Sequence, residues 1–409
     1  MEADMRGCFG RFLKVSFLCC ALLAFPRLTF GQQSADATDC NQPSAKPVID
    51  VALPGHPFMA LATPDGCWIF VSMQQGKPPL QPGVAVIQRM HGNVTMERVI
   101  PLGDAVGMVL SHDGKMLMAT NGDYVDFLDV DRLKSGEGDP KLGRIYGGAG
   151  SKEDNVNVTT DDRFLFVSDH AIPKETATVY RLDAARKAAF KGDFKIGSIH
   201  VGREVLAIVF SRDERYVYIV AEQAGSDTTW SAACPQNPPT KKAVEGVVSV
   251  IDVQRAKTDP GNSIVARIKA GCVPTRLQVS PEGDRLYVTA RADDTLVVLD
   301  TTKFLTDPEH AKIATVPVGK SPTGVSLMDG GKKIIVTNIG TSEEQQSLTV
   351  IDAARVTSGA AAVMGTIPVG SGPRDASLTN DGRTLFVPNF NSSTLRVIDI
   401  ARLRMDLVR

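Results

Sequence analysis

Ten side chains of this sequence have types and positions suited to shared chemistry. Asn121, Asp169, Asn338 and Asn389 each stand eight residues after a recurrent turn position, and His170, Glu222 and Arg291 stand nine after one. Arg276, Arg374 and Asp375 belong to segments that lead into the same recurrent units, as do His56, Arg203 and Glu204. Amide and carboxylate oxygens arranged in a ring would hold a divalent cation. Arginines would instead hold an anion through paired N–H donors. A hydrated polar surface with no specific ligand is the alternative to both. Asp169, His170, Glu222 and Arg291 are also the candidates for an acid/base pair in a hydrolase, which would need a convergent site and often a metal. No spaced catalytic motif accompanies them, so no catalytic residue is assigned.

A repeat sets these positions. Seven segments align, among them DAVGMVLSHDGKMLMATN, PTRLQVSPEGDRLYVTA and PRDASLTNDGRTLFVPN. Each is an alternating run, an acidic or glycine turn and a second alternating run, the period-2 pattern of strands. The turn positions are Asp65, Asp113, Asp161, Asp213, Glu282, Gly330 and Asp381, spaced by 48, 48, 52, 69, 48 and 51 residues. Their Asp-Gly pairs predict two-residue hairpin turns with positive φ between strands a and b. A third strand, such as VDFLD or VSVID, ends in Asp129, Asp183, Asp252, Asp300, Asp352 or Asp399, and in Gln88 in the first unit. An Asp there closes a turn on its own backbone, and the basic residue three positions on, Arg132 or Arg255 for example, is expected to pair with it. A fourth strand then leads into the next unit. Four antiparallel strands, seven times, predict an all-β fold: one seven-bladed β-propeller over residues 47–409.

The stretches IPVGSGPRDASLTNDGRTLFVPNFNSSTLRVIDIARL and IKAGCVPTRLQVSPEGDRLYVTARADDTLVVLDTTKF resemble the YVTN (YncE-like) β-propeller repeat family along their whole length. Units one to four match more loosely. The third lacks the Gly-x-x-Pro entry, and the fourth has Asp213-Glu214 in place of Asp-Gly. The resemblance covers roughly residues 47–404. It implies the propeller fold and an envelope or exterior setting, and it leaves the function open.

The seventh unit has no fourth strand of its own, and Pro47–Pro54 resembles one. We expect it to pair beside Leu395–Asp399 and close the ring, which removes exposed edges. In such a ring the a–b and c–d turns share one face, the bottom. The b–c and d–a loops share the other, the top. Once Cys8, Cys19 and Cys20 leave with a signal peptide, Cys40, Cys67, Cys234 and Cys272 remain, an even number that suggests disulfides. Cys40 and Cys67 fall at the bottom and Cys234 and Cys272 at the top, so the expected pairs are Cys40–Cys67 and Cys234–Cys272. Free or metal-bound cysteines are the alternative. Length variation gathers in the b–c loops, above all in the unit-four insertion 222–246, which contains Trp230. That insertion is read either as a lid or partner-contact loop or as a tolerated surface insertion. The top face is therefore the expected binding face.

Arg6, Arg11 and Lys14 precede an apolar run from Val15 to Phe25, and Thr29 and Gly31 supply small residues for cleavage. Residues 1–31 read as a signal peptide and 32–46 as a linker; an uncleaved anchor is the alternative. Export to the periplasm or the exterior follows. The 409 residues are 22% charged with a net charge of −1, which gives no footprint for nucleic acid. The mature chain shows no transmembrane segment, and a monomer is expected. No cofactor is expected apart from the option of a divalent cation in the channel. The functional expectation is a noncatalytic binding or interaction scaffold for an envelope or extracellular protein or a small ligand. The alternative is a lactonase-type hydrolase. A redox propeller is weakened by only two tryptophans and no haem-attachment motif.

Overall fold

The computed structural model describes residues 40–402 apart from 41, 45, 76–79, 172–173, 231–233 and 236–241. The expected signal peptide and most of the linker lie outside the described residues. Seven four-stranded antiparallel sheets follow one another along the chain. Blade two is representative, with strands a to d at Ala105–Leu110, Met116–Asn121, Tyr124–Asp129 and Lys141–Tyr146. Strand a of each blade packs against strand a of the next, so these strands form the inner wall. Strand b is buried throughout in blades two, three and seven, at Met116–Asn121, Phe164–Asp169 and Thr384–Asn389. A strand covered on both sides reads as a nearly continuous apolar run. Strand d lies at the rim and alternates, as at Asn93–Pro101. The apolar clusters bridge neighbouring blades: Phe70, Val86, Leu117 and Leu128 join blades one and two, and Val220, Val250, Leu286 and Val297 join four and five. Among the described residues no helix is long and apolar enough to cross a membrane.

The ring closes as the sequence predicts. Val48–Ala52 is the outer strand of blade seven, with Val48 opposite Ile398 and Ala52 opposite Thr394. Arg396 grips Asp50 across this pair with two hydrogen bonds, at 2.8 and 2.7 Å. Arg89, only 9% exposed, crosses the seam on the inside and donates to the Gly66 carbonyl and to Thr384 Oγ1, both at 2.9 Å. The Cys40–Cys67 disulfide ties the segment before the closing strand to the a–b turn of blade one. Cys234–Cys272 ties the blade-four insertion to the loop entering blade five.

The turns correct the expectation in two ways. The a–b connections are four-residue loops rather than two-residue turns. In blade one the Thr63 N–H donates to the Trp68 carbonyl and the Gly66 N–H to the Thr63 carbonyl, each at 2.8 Å. Blade six has three positive-φ residues in a row, Asp329, Gly330 and Gly331; in the other blades only the residue after the turn anchor has positive φ. It is Gly66 at 70° in blade one, and Asp162 and Glu214 hold the same place in blades three and four at 52° and 54°. The anchor carboxylate organises the loop. Asp113 accepts from Ser111 Oγ at 2.6 Å and from the Lys115 N–H at 3.0 Å, and Asp161, Asp213 and Asp381 repeat the pattern. The hydrogen bond from Ser111 is the main cause that holds the Asp113 carboxyl below its usual range. After strand c, Asp129 and Asp252 cap short helices by accepting from the backbone of Arg132 and Arg255. The basic residues do not pair with these aspartates. Arg132 and Arg255 instead donate to the carbonyls of Asp139 and Asn262, seven residues on, at 2.9 and 3.2 Å. In blade three, strand c ends at Arg181 and Asp183 falls inside the following helix.

Candidate functional site

A β-bulge in strand a builds the site. In blades one to six the a–b register slips by one position near the start of strand a. A bulge leaves backbone groups outside the ladder and redirects side chains. Here the orphaned N–H finds a hydroxyl from strand b. Ser72, Thr120, Ser168 and Thr289 accept from the N–H groups of Met59, Gly107, Asn155 and Arg276 at 3.1, 2.8, 2.9 and 3.1 Å. Three of these hydroxyls also contact the next blade: Ser72 donates to the Val106 carbonyl at 2.6 Å, Thr120 to Asp154 at 3.1 Å and Thr289 to Thr323 at 3.0 Å. The inner strands therefore approach closely. A Cβ on Gly107 would lie 2.4 Å from the Asp154 carbonyl oxygen, which only glycine avoids.

The six bulges, and the corresponding position at the entry to blade seven, bring one side chain per blade to the top of the channel. Phe58, Val106 and Leu206 supply an apolar part, and Asp154, Thr275, Thr323 and Arg374 a polar one. All seven line one cavity of about 590 Å³, within the roughly 300–1,000 Å³ of small-ligand pockets. Each stands seven residues before the turn anchor of its blade. Residues of the strand ends and loops complete the wall, among them Lys152, His170, Glu222, Arg276 and Arg291.

Charge in the cavity is unevenly compensated. Glu222 is 7% exposed and accepts from Arg291 Nη2 at 2.7 Å. Burial pushes its carboxyl up to about 8, its hydrogen bond with Glu204 adds to the rise, and Arg291 opposes it. The hydrogen-bonded Glu222–Glu204 pair is thereby disposed to share a proton. Arg276 lies 3.8 Å from Asp154, whose Oδ2 is buried without a hydrogen-bond partner. Asp375, next to Arg374 but outside the cavity lining, has its carboxyl pushed up by burial against the pull of Arg276. Arg374 stacks on Phe390 at 4.5 Å and reaches the face of Phe58 at 6.0 Å. Its Nε is buried and has no hydrogen-bond partner. Burial, with Arg291 and Arg276 adding to it, lowers its pKa.

Of the residues singled out from the sequence, His170, Glu222, Arg276, Arg291 and Arg374 line this cavity together. The three asparagines and Asp169 are engaged with neighbouring loops and strands. Asn121 donates to Asp126 at 2.8 Å, Asn338 to Thr349 at 2.9 Å, and Asn389 accepts from the Gly370 N–H at 3.1 Å. Asp169 accepts from the N–H groups of Lys152 and Ala171 at 3.0 and 2.9 Å. His56 bonds the Phe390 carbonyl at 2.8 Å across the closing seam, and Arg203 bonds Glu175 at 2.8 Å. Among the described residues no group of three or more His, Cys, Asp or Glu side chains is placed to hold a metal ion. Phe58, Val106, Asp154, Leu206, Thr275 and Thr323 were missed. Their signal is the fixed offset before the turn, whereas the offset weighed from the sequence lies after it.

The blade-four insertion departs from its expected bounds. Strand b runs on to Ala224, so the loop proper spans 225–246. Its described part lies toward the outer strand of its own blade: Asp227 pairs with Arg267 at 2.6 Å, and Trp230 sits 5.6 Å from the Lys269 ammonium.

No protein-family model matches the chain. No curated protein matches it. Among solved structures, a chain of Kuenenia stuttgartiensis hydrazine synthase is similar with a TM-score of 0.63 at 17% identity, covering 86% of this chain and 97% of that one. A chain of a mitotic checkpoint complex is similar with a TM-score of 0.63 at 15% identity, covering 88% and 96%. At these identities the likeness concerns the fold alone. The sheets and the closed ring define a protein of the seven-bladed β-propeller class.

Proposed function

We propose that this chain is an exported, YVTN-type propeller that acts as a noncatalytic binding module through its top face. The observation that carries this reading is the cavity at the upper end of the channel, to which every blade contributes the residue seven positions before its turn anchor. A rigid ring holding such a concave, mixed polar and apolar wall is suited to a small ligand. The repeats quoted above support the YVTN assignment. The two disulfides support export, because such bonds persist in oxidising compartments. The cavity reading is tested by thermal-shift screening of a small-molecule library against the protein and against Val106→Trp, which fills the cavity. We expect ligands that stabilise the unaltered protein to lose their effect on the variant. Equal stabilisation of both would place binding elsewhere.

One observation favours a second reading, the lactonase-type hydrolase. Burial and the hydrogen bond with Glu204 push the Glu222 carboxyl up in the same cavity as Asp154, the environment of a general acid. Turnover of a lactone panel that Glu222→Gln abolishes is the expected sign of this activity. No turnover by the unaltered protein rules it out for those substrates.

A further inference from the structure

We propose that the cavity ligand is a small organic anion with an apolar body, held by its charged end at Arg374 and by its body against Phe58 and Val106. This rests on the binding reading above and names the chemistry of the ligand. Three guanidinium groups, Arg276, Arg291 and Arg374, enter one cavity. Two have carboxylate partners in Asp154 and Glu222. Among the described residues Arg374 has no carboxylate partner, and its Nε is buried and unbonded. Its neighbours are the rings of Phe390 and Phe58. A partly buried cation attracts an anionic oxygen group more strongly than an exposed one, because less water screens the pair. Arginine presents two parallel N–H donors to such a group.

The arrangement around the ring says what the rest of the ligand is. Blade seven gives Arg374, blade one Phe58 and blade two Val106, in consecutive places along the wall. An anionic end at Arg374 therefore has an apolar surface beside it. Blade three then gives Asp154, 8% exposed, with Oδ2 lacking a hydrogen-bond partner. Blade six gives Thr323, also 8% exposed, whose hydroxyl lacks one too. These are places for ligand donors.

Carboxylates and phosphate monoesters share the required oxygen geometry, and the test separates them. Isothermal titration of the full chain uses benzoate, phenylacetate, hexanoate and phenyl phosphate, each beside its neutral counterpart: benzamide, phenylacetamide, hexanamide and phenol. We expect at least one acid to bind tenfold or more tightly than its counterpart. We expect Arg374→Gln to weaken that acid about tenfold and to leave the neutral compound unchanged, with Arg374→Lys in between. Preference for the phenyl phosphate over the carboxylates, or the reverse, identifies the anionic group. Neutral compounds binding as tightly as acids overturn this proposal and leave the binding reading standing. Binding of no compound in either set overturns both. The acid-against-neutral comparison on the unaltered protein decides the question even if the variants fail to fold.

Discussion

Thr120 does two jobs with one hydroxyl. It accepts the Gly107 N–H that the strand-a bulge has freed, and it donates to the Asp154 carbonyl in the next blade. Ser72, Ser168 and Thr289 stand at the equivalent place, seven residues after the turn anchor. The bulge residue that lines the cavity stands seven residues before it. Both positions are legible as offsets in the repeat, but the conspicuous polar types stand one place on, where Asn121 and Asn338 bond strand c and Asn389 bonds the loop at Gly370. A Thr or a Val inside a strand does not announce a role, since either satisfies strand patterning. We predict that Thr120→Val, which keeps the shape and deletes both hydrogen bonds, lowers stability by about 1–3 kcal/mol, the cost of a buried unpaired N–H and carbonyl. Urea unfolding measures this. A variant as stable as the parent would mean that the bulge does not depend on the hydroxyl.

At the scale of the element, the sequence reading located every blade, the missing fourth strand of blade seven and the segment that replaces it. It did so because strand alternation and the spacing of turns are local signals. It misjudged the turns. An Asp-Gly pair within Thr-x-Asp-Gly uses its carboxylate to fold a four-residue loop, and the hydroxyl two residues earlier decides this, as Ser111 does for Asp113. It also expected Arg132 and Arg255 to face their aspartates, because spacing along a chain does not say which way a long side chain turns. Closure carries its own prediction. Replacing Cys40 and Cys67 together by alanine removes a link of sequence separation 27, and in the chain-entropy picture this costs about 3–4 kcal/mol. A chain lacking residues 32–54 loses the outer strand of blade seven as well, and should melt lower still. Thermal unfolding followed by circular dichroism compares the three, and equal melting of the truncated and intact chains would contradict closure by this strand.

For the whole molecule, ring symmetry sets the place of the site and broken symmetry sets its character. Equivalent positions in the seven blades bring seven side chains to one end of the channel, of which three are apolar, two hydroxylic, one acidic and one basic. The fold is shared with solved propellers at 15–17% identity, so the chemistry of the site rests on this chain's own residues. The central claim is that ligands bind at that end of the channel. Methyl-labelled nuclear magnetic resonance of the full chain, titrated with the tightest-binding acid of the panel, tests it most directly. The account predicts shifts concentrated on Val106, Leu206 and Thr323. Shifts at the bottom-face turns with these three methyl-bearing residues unmoved would contradict it.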